Sequence, residues 1–305
     1  MNAENLDDSL LAEIETHAVL IAHQAGQILC EQFRQPLDVQ FKDKKNRDPV
    51  TVADRLSDEY LKKAINEKFP SHLILSEEGG AQPESDSQFV WVLDPLDGTV
   101  NYINGLPLFA VSVGVLWKRQ PVVGSIYVPV SHRATAGVYH ARLAKGAFLN
   151  QEKIAVNQQP SSRPLAEIPL QYRSRFSITG QSRKEPFEAR NLGSIALEIS
   201  LAACGIFQYA LFGGPKIWDV AAGVLLVKEA GGRSFFKKPG EKSWQILERF
   251  QTEQNKDSGA LENLRRWSFP LVVGASESAA KIVKDIRIRH NPLAGLAARF
   301  WPDRR

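Results

Sequence analysis

Trp91-Val92-Leu93-Asp94-Pro95-Leu96-Asp97-Gly98-Thr99 is the stretch on which the reading of this chain turns. It opens as an apolar run, Phe89 to Leu93, with the make-up of a buried strand. Asp94-Pro95 then predicts the strand's end, because proline donates no ladder hydrogen bond and restricts the residue before it. Asp97 follows Asp94 by three residues, so a tight turn can aim both carboxylates at one point, with the Leu96 carbonyl between them as a further hard oxygen. Gly98-Thr99 adds a hydroxyl and turn N–H groups able to cradle an anion. Two carboxylates held close repel each other and stay ionised together only with a cation between them. Oxygen-only donors select a hard cation, Mg²⁺ first. The plain alternative is a strand followed by an ordinary Asp-Pro turn with solvated acids.

Upstream, Leu73-Ile74-Leu75 reads as a short strand followed at once by Ser76-Glu77-Glu78-Gly79-Gly80. Acids and then glycines at a strand end suit a metal-binding loop near the carboxyl edge of a sheet, or simply a polar loop. Pro49-Val50-Thr51-Val52-Ala53-Asp54 leads into a helix to about Phe69, with Thr51 as its cap. Asp54, in the first turn, either complements the helix dipole or orients a neighbouring hydroxyl. An amphipathic helix is expected from about Leu6 to Phe33. Lys42 to Asp48 is a charged loop, read either as solvated or as a lid whose lysines approach a phosphate.

Downstream, a meander of strands runs from Phe109 to Val156, and residues 158–190 show no readable period. A helix is expected from Ser194 to Cys204, ended by Gly205, then a strand from Phe207. Trp218 to Gly232 is the second informative stretch, a helix whose Ala221, Ala222 and Gly223 permit close packing. Asp219 stands at its start, as a cap or as a carboxylate for a second metal. Lys237 to Trp267 reads as a charged, Gln-rich surface excursion with some helix, Phe269 to Gly274 as a buried strand, and Ser276 as the cap of a helix to about Ile286. Residues 291–305 form a basic tail.

The 305 residues are 43% hydrophobic and 24% charged, with net charge +4. Those are ordinary globular proportions, with room for one large domain or two lobes. The single-domain reading divides into lobes of about 1–157 and 158–290. Cys30 and Cys204 are the only cysteines, too few for a disulfide framework and expected as buried thiols. The six histidines show no ligand spacing, which argues against zinc. No signal peptide and no apolar run of bilayer length is found, so a soluble cytoplasmic protein is expected.

Taken together, Pro49–Asp54, Glu77-Glu78-Gly79, Trp91–Thr99 and Trp218–Gly232 resemble the inositol monophosphatase family of Mg²⁺-dependent, lithium-sensitive phosphatases, which is related to fructose-1,6-bisphosphatases and bisphosphate nucleotidases. The resemblance covers about Leu10 to Ile286, with the four segments in family order and spacing. It implies an α/β (α+β) fold, a layered α-β-α-β-α sandwich. It implies Glu77, Asp94 and the Leu96 carbonyl as ligands of a first Mg²⁺ and Asp94, Asp97 and Asp219 as ligands of a second, two or three ions per site in all. Glu77 would also help hold the nucleophilic water, and Thr99 paired with Asp54 would activate it. Gly98 and Thr99 amides would hold the phosphate, with Asp219, Ile195 and Phe212 in the substrate positions. Glu78 would support the site from its edge. Many relatives are homodimers.

One departure bears on substrate. Family members selective for inositol phosphate carry a glutamate seven residues before the Asp219 position, where this chain has Phe212. A phenyl ring cannot hydrogen-bond a ring hydroxyl, so a substrate with a more apolar face, or a broader range of sugar phosphates, fits as well. The leading expectation is a phosphomonoesterase acting on inositol phosphate or a related sugar phosphate, without membrane association. A bisphosphate nucleotidase or fructose-1,6-bisphosphatase is the second. A non-catalytic binder of RNA or the transcription machinery on the same fold is the third. It rests on mild basicity and the tail alone, since no nucleic-acid motif is present.

Overall fold

The computed structural model describes residues 6–35, 39–41, 49–79, 87–159, 162–169, 176–180, 182–184, 187–250 and 260–288. The Lys42–Lys45 loop and the 291–305 tail lie outside them. Helix α1 (Asp8–Gln32) starts at Asp7, whose carboxylate accepts from the Ser9 N–H at 2.9 Å. Strands β1 (Val39–Phe41) and β2 (Pro49–Thr51) pair as a ribbon, and Thr51 caps α2 (Val52–Lys68).

A seven-stranded sheet follows, its strands neighbours in chain order: β3 (Leu73–Ser76), β4 (Phe89–Asp97), β5 (Ala110–Trp117), β6 (Gln120–Val128), β7 (Gly137–Arg142), β8 (Gly146–Leu149) and β9 (Glu152–Ile154). The short helix α3 (Thr99–Ile103) sits between β4 and β5. The β3–β4 pair is parallel and the others are antiparallel. The second sheet contains β10 (Leu165–Glu167), β12 (Glu188–Arg190), β13 (Phe207–Phe212), β14 (Gly232–Phe236), β15 (Gln245–Ile246) and β16 (Leu271–Ala275), in the order β12-β10-β13-β16-β14-β15. Strand β11 (Phe176–Ile178) pairs separately with β17 (Ile286–Ile288). The remaining helices are α4 (Ile195–Ala203), α5 (Ile217–Glu229), α6 (Ala260–Arg265) and α7 (Ser276–Asp285).

Helices α1 and α2 cover the outer face of the first sheet, α4 and α5 fill the space between the sheets, and α7 covers the outer face of the second. This is the expected α-β-α-β-α layering. Strand alternation explains it. In β4, Trp91 and Leu93 join the core under α1 and α2, while Val90 and Val92 join the core shared with α4 and α5. A strand buried on both faces must read as a continuous apolar run.

Three expectations are corrected. Strand β4 does not stop at Asp94-Pro95 but runs to Asp97. Asp94 pairs with Ser112 and Asp97 with Ala110, so one extra residue is accommodated on β4. A bulge absorbs the donor that proline lacks and keeps the strand going. Residues 237–268 are not simply a surface excursion, for Leu247, Phe250, Leu261, Leu264 and Trp267 are buried in the core between the sheets. Ser276 is the first residue of α7 and no side chain caps that helix; its hydroxyl donates instead to the Gly231 carbonyl at 3.0 Å. Cys30 and Cys204 are free and half-buried. Among the described residues no helix is long and apolar enough to cross a membrane.

Helix α5 lies against β5 and β6 with almost no side-chain layer between. A Cβ on Gly114 would sit 2.8 Å from the Ala221 Cβ, and one on Gly124 would sit 2.5 Å from the Ala222 carbonyl oxygen. The obstacle at Gly124 is backbone, which cannot swing aside. Gly124→Ala is therefore expected to cost about 1–3 kcal/mol by overpacking, read as a lower urea midpoint at unchanged slope. An unchanged midpoint would mean that α5 is not seated this closely.

Candidate active site

The bulge in β4 turns its two acids inward. Asp94 is 2% exposed and Asp97 is 8% exposed. Asp94 accepts from the Leu96 N–H at 3.1 Å. Asp97 reaches a different element: its Oδ2 accepts from the Ser194 hydroxyl and the Ala196 N–H, both at 2.6 Å, at the N-terminus of α4. The Pro95 carbonyl, freed by the bulge, accepts from Ser57 of α2 at 2.8 Å. Gly98 has φ +92°, and a Cβ there would lie 3.0 Å from the Leu108 carbonyl and 3.1 Å from the Ser194 Cβ. Conformation and crowding both require glycine at this position.

Asp54 completes a capping box. Its Oδ2 accepts from the Thr51 N–H at 2.7 Å and the Thr51 hydroxyl at 2.6 Å. Its Oδ1 faces the Thr99 hydroxyl at 3.4 Å, while that hydroxyl lies 3.1 Å from the Leu96 carbonyl. One hydroxyl has one proton, so Leu96 is its closer acceptor and Asp54 stands ready as the second. Asp54 is thus a helix cap and the neighbour of Thr99 at once.

Glu77 leaves the end of β3, whose parallel register sets its N–H on the Leu93 carbonyl at 3.1 Å. Asp219 lies in the first turn of α5, its Oδ2 accepting from the Lys216 N–H at 2.7 Å. Ser112, opposite Asp94 in the ladder, donates to the Trp218 carbonyl at 3.1 Å and so ties the start of α5 to β5.

These acids face one another electrostatically. Burial first, then the charges of Glu77, Asp97, Asp219 and Asp54, push Asp94 well above the usual carboxylate range. Burial pushes Asp97 up to about 6, against hydrogen bonds from Ser194, Ala196 and Ile195 that lower it. Asp219 is likewise raised well above its ordinary value, by burial and then by Asp97. Among the described residues no three acidic, histidine or cysteine side chains converge as a ready-made metal cage. One oxygen of Asp54, Asp97 and Asp219 is instead held by the protein's own donors. The donor set still fits a hard dication: it is all oxygen, with Asp54, Asp94 and Asp97 buried and Glu77 and Asp219 half-buried, and it is mutually repulsive until neutralised.

The other sequence-derived residues are placed as follows. Ile195 is half-buried at the first position of α4, beside Ala196. Glu78 is half-buried on the loop after β3. Phe212 closes β13 opposite Leu271 and is 4% exposed, packed in the core between the sheets, so its ring is spent on packing. Ser57, Asp58, Ser112 and Ser194 escaped the sequence reading. Asp58 accepts from the Ser76 hydroxyl at 2.5 Å and from Lys62 at 2.6 Å. A signal for it existed, since Asp54, Ser57 and Asp58 repeat at helical spacing on the buried face of α2. Ser112 and Ser194 act on residues distant in sequence, and no local pattern announces them.

The raised carboxylates give a pH signature. Each folded carboxyl binds its proton more tightly than in the unfolded chain, so the metal-free protein gains stability from these groups at low pH. That gain is lost as pH rises from the unfolded value, about 4, through about 6 for Asp97 and further for Asp94 and Asp219. Mg²⁺ would bind the deprotonated set. The rise in melting temperature on adding Mg²⁺ to chelator-treated protein is therefore expected to be larger at pH 7.5 than at pH 5. An equal rise at both would contradict the clustering of these acids.

Comparison with known proteins agrees with this geometry. Residues 10–256 match the inositol monophosphatase family. The chain is 35% identical over 222 residues to a fructose-1,6-bisphosphatase/inositol-1-monophosphatase of Aquifex aeolicus, covering 70% of this chain and 82% of that protein. It is 32% identical over 226 residues to the Nus factor SuhB of Pasteurella multocida, again covering 70% and 82%. The structure of an inositol monophosphatase from Anabaena (Nostoc) sp. PCC 7120 superposes with TM-score 0.65 at 25% identity, covering 90% of this chain and 95% of that one. With the family's segments in order and its layered fold in place, the chain belongs to the inositol monophosphatase family.

Proposed function

We propose that the protein is a Mg²⁺-dependent phosphomonoesterase acting on inositol monophosphate or a related sugar phosphate. The observation that supports this best is the gathering of Glu77, Asp97, Asp219 and Asp54 within Coulombic reach of Asp94, the five acids coming from α2, the end of β3, β4 and α5, beside Gly98-Thr99. Glu77, Asp94, the Leu96 carbonyl, Asp97 and Asp219 would hold the metal, two or three ions in all. When bound, Mg²⁺ supplies charge neutralisation and a water of lowered pKa.

The protein's own groups do the rest. Glu77 and the Thr99 hydroxyl position the attacking water, Thr99 accepting a hydrogen bond while its own proton turns to Asp54 or the Leu96 carbonyl. The Gly98 and Thr99 amides meet the phosphoryl oxygens. Asp219 and Ile195 border the leaving group. With Phe212 packed in the core, the position offers no carboxylate to an inositol hydroxyl, which favours sugar phosphates of wider shape. Cleavage of fructose-1,6-bisphosphate or of a bisphosphorylated nucleotide belongs to the same chemistry. The relatives named Nus factor SuhB support a second reading, a partner of RNA or the transcription machinery on the same fold.

Phosphate release from inositol-1-phosphate, fructose-1,6-bisphosphate and 3′-phosphoadenosine-5′-phosphate tests this. At least one is expected to be cleaved only with Mg²⁺, and inositol-1-phosphate is not expected to be strongly preferred. Thr99→Ala is expected to lower kcat by about 10²–10⁴, the usual worth of a positioned proton-transfer group, with KM little changed. No release from any substrate, with salt-sensitive RNA retention instead, would favour the second reading.

A further inference from the structure

Segment 237–268 has no role in the reading above, and α6 within it lies beyond residue 256, where the family match ends. Yet one of its side chains reaches the site. Arg265 Nη1 donates to the Ser76 and Gly79 carbonyls, both at 2.9 Å, and Nη2 donates to the Glu77 carbonyl at 3.3 Å. The same guanidinium lies over the Trp218 ring, 5.4 Å from its centroid. Trp218 directly precedes Asp219. One planar cation therefore touches the loop that carries Glu77 and the helix turn that carries Asp219.

The arrangement is anchored on both sides. Leu261, Leu264 and Trp267, on either side of Arg265 in the chain, are buried in the core between the sheets, with Trp267 edge-on to Phe250 at 5.0 Å. From the other side α2 grips the loop, as Asp58 accepts from the Ser76 hydroxyl at 2.5 Å. With three carbonyls of residues 76–79 turned to the guanidinium, the peptide planes around Glu77 have little freedom, and the direction in which its Cα–Cβ bond leaves the backbone is set with them. A lysine cannot replace this. Its point charge would reach part of the carbonyl set and could not stack on the indole while doing so.

We infer that Arg265 is a positioning residue for the metal site, fixing the Glu77 loop and holding it in register with Asp219. This rests on the reading of Glu77 and Asp219 as metal ligands. Residues that orient ligands from outside the coordination shell change metal affinity without touching the metal.

The test compares the parent protein with Arg265→Lys, and with Arg266→Ala as a control at the exposed neighbour. Mg²⁺ affinity is read from the melting shift across a Mg²⁺ titration, independently of activity, and substrate KM is read at saturating Mg²⁺. Arg265→Lys is expected to raise the half-saturating Mg²⁺ concentration about tenfold, with KM and the metal-free circular dichroism spectrum retained and Arg266→Ala like the parent. Arg265→Gln carries the same expectation should the lysine variant not fold. A parent that responds to Mg²⁺ and an Arg265 variant that responds identically would overturn the inference alone. A parent with no Mg²⁺ response would overturn the metal reading, and the inference with it.

Discussion

The repulsion among carboxylates in one buried corner is the constraint on which the rest of this structure depends. Asp94 is 2% exposed and stands in the field of Glu77, Asp97, Asp219 and Asp54. Water does not screen such charges well, and burial alone already disfavours their ionised forms. A fold that keeps them together must offset the repulsion in its own structure and leave the remainder to bound protons or a cation.

Helix N-termini supply much of that offset. Asp54 accepts from the Thr51 N–H at the start of α2, Asp97 from the Ala196 N–H at the start of α4, and Asp219 from the Lys216 N–H at the start of α5. Three helix ends thus converge on one site, each bringing orphan N–H donors and a positive dipole end to an acid. For Asp54 and Asp219, capping and catalysis stood as competing sequence readings, and the geometry makes capping compatible with a role at the site. One oxygen anchors each side chain to a rigid element. The close seating of α5 on Gly114 and Gly124 gives Asp219 its place relative to Asp94, through Ser112 and the Trp218 carbonyl.

Much of this was legible in the sequence because it is local. The apolar run before Asp94, the Thr51–Asp54 cap and the small residues of Ala221-Ala222-Gly223 each show their physics within a few positions. What escaped is non-local. Strands β10, β11 and β12 are three residues each, and β10 pairs with β13 some forty positions on, too short and too remote to leave a period. Pro95 predicts a strand end because the pattern cannot show that a bulge will absorb it. The buried anchors Leu247, Phe250, Leu261, Leu264 and Trp267 are scattered among charges without periodicity, so their segment looked like surface. Arg265 lies there too, one arginine among many until the fold brings it to the Glu77 loop.

The measurement that bears most directly on the central claim is one Mg²⁺ titration of chelator-treated protein, following melting temperature and phosphate release together, for the parent and for Asp94→Asn. If the acids form a metal-dependent phosphatase site, both signals rise over the same Mg²⁺ range in the parent. In Asp94→Asn the metal-free protein is no less stable, because one repelling charge is gone, while the Mg²⁺ shift and the phosphate release are both lost. Phosphate release that persists in Asp94→Asn, or a parent whose melting temperature ignores Mg²⁺, would contradict it.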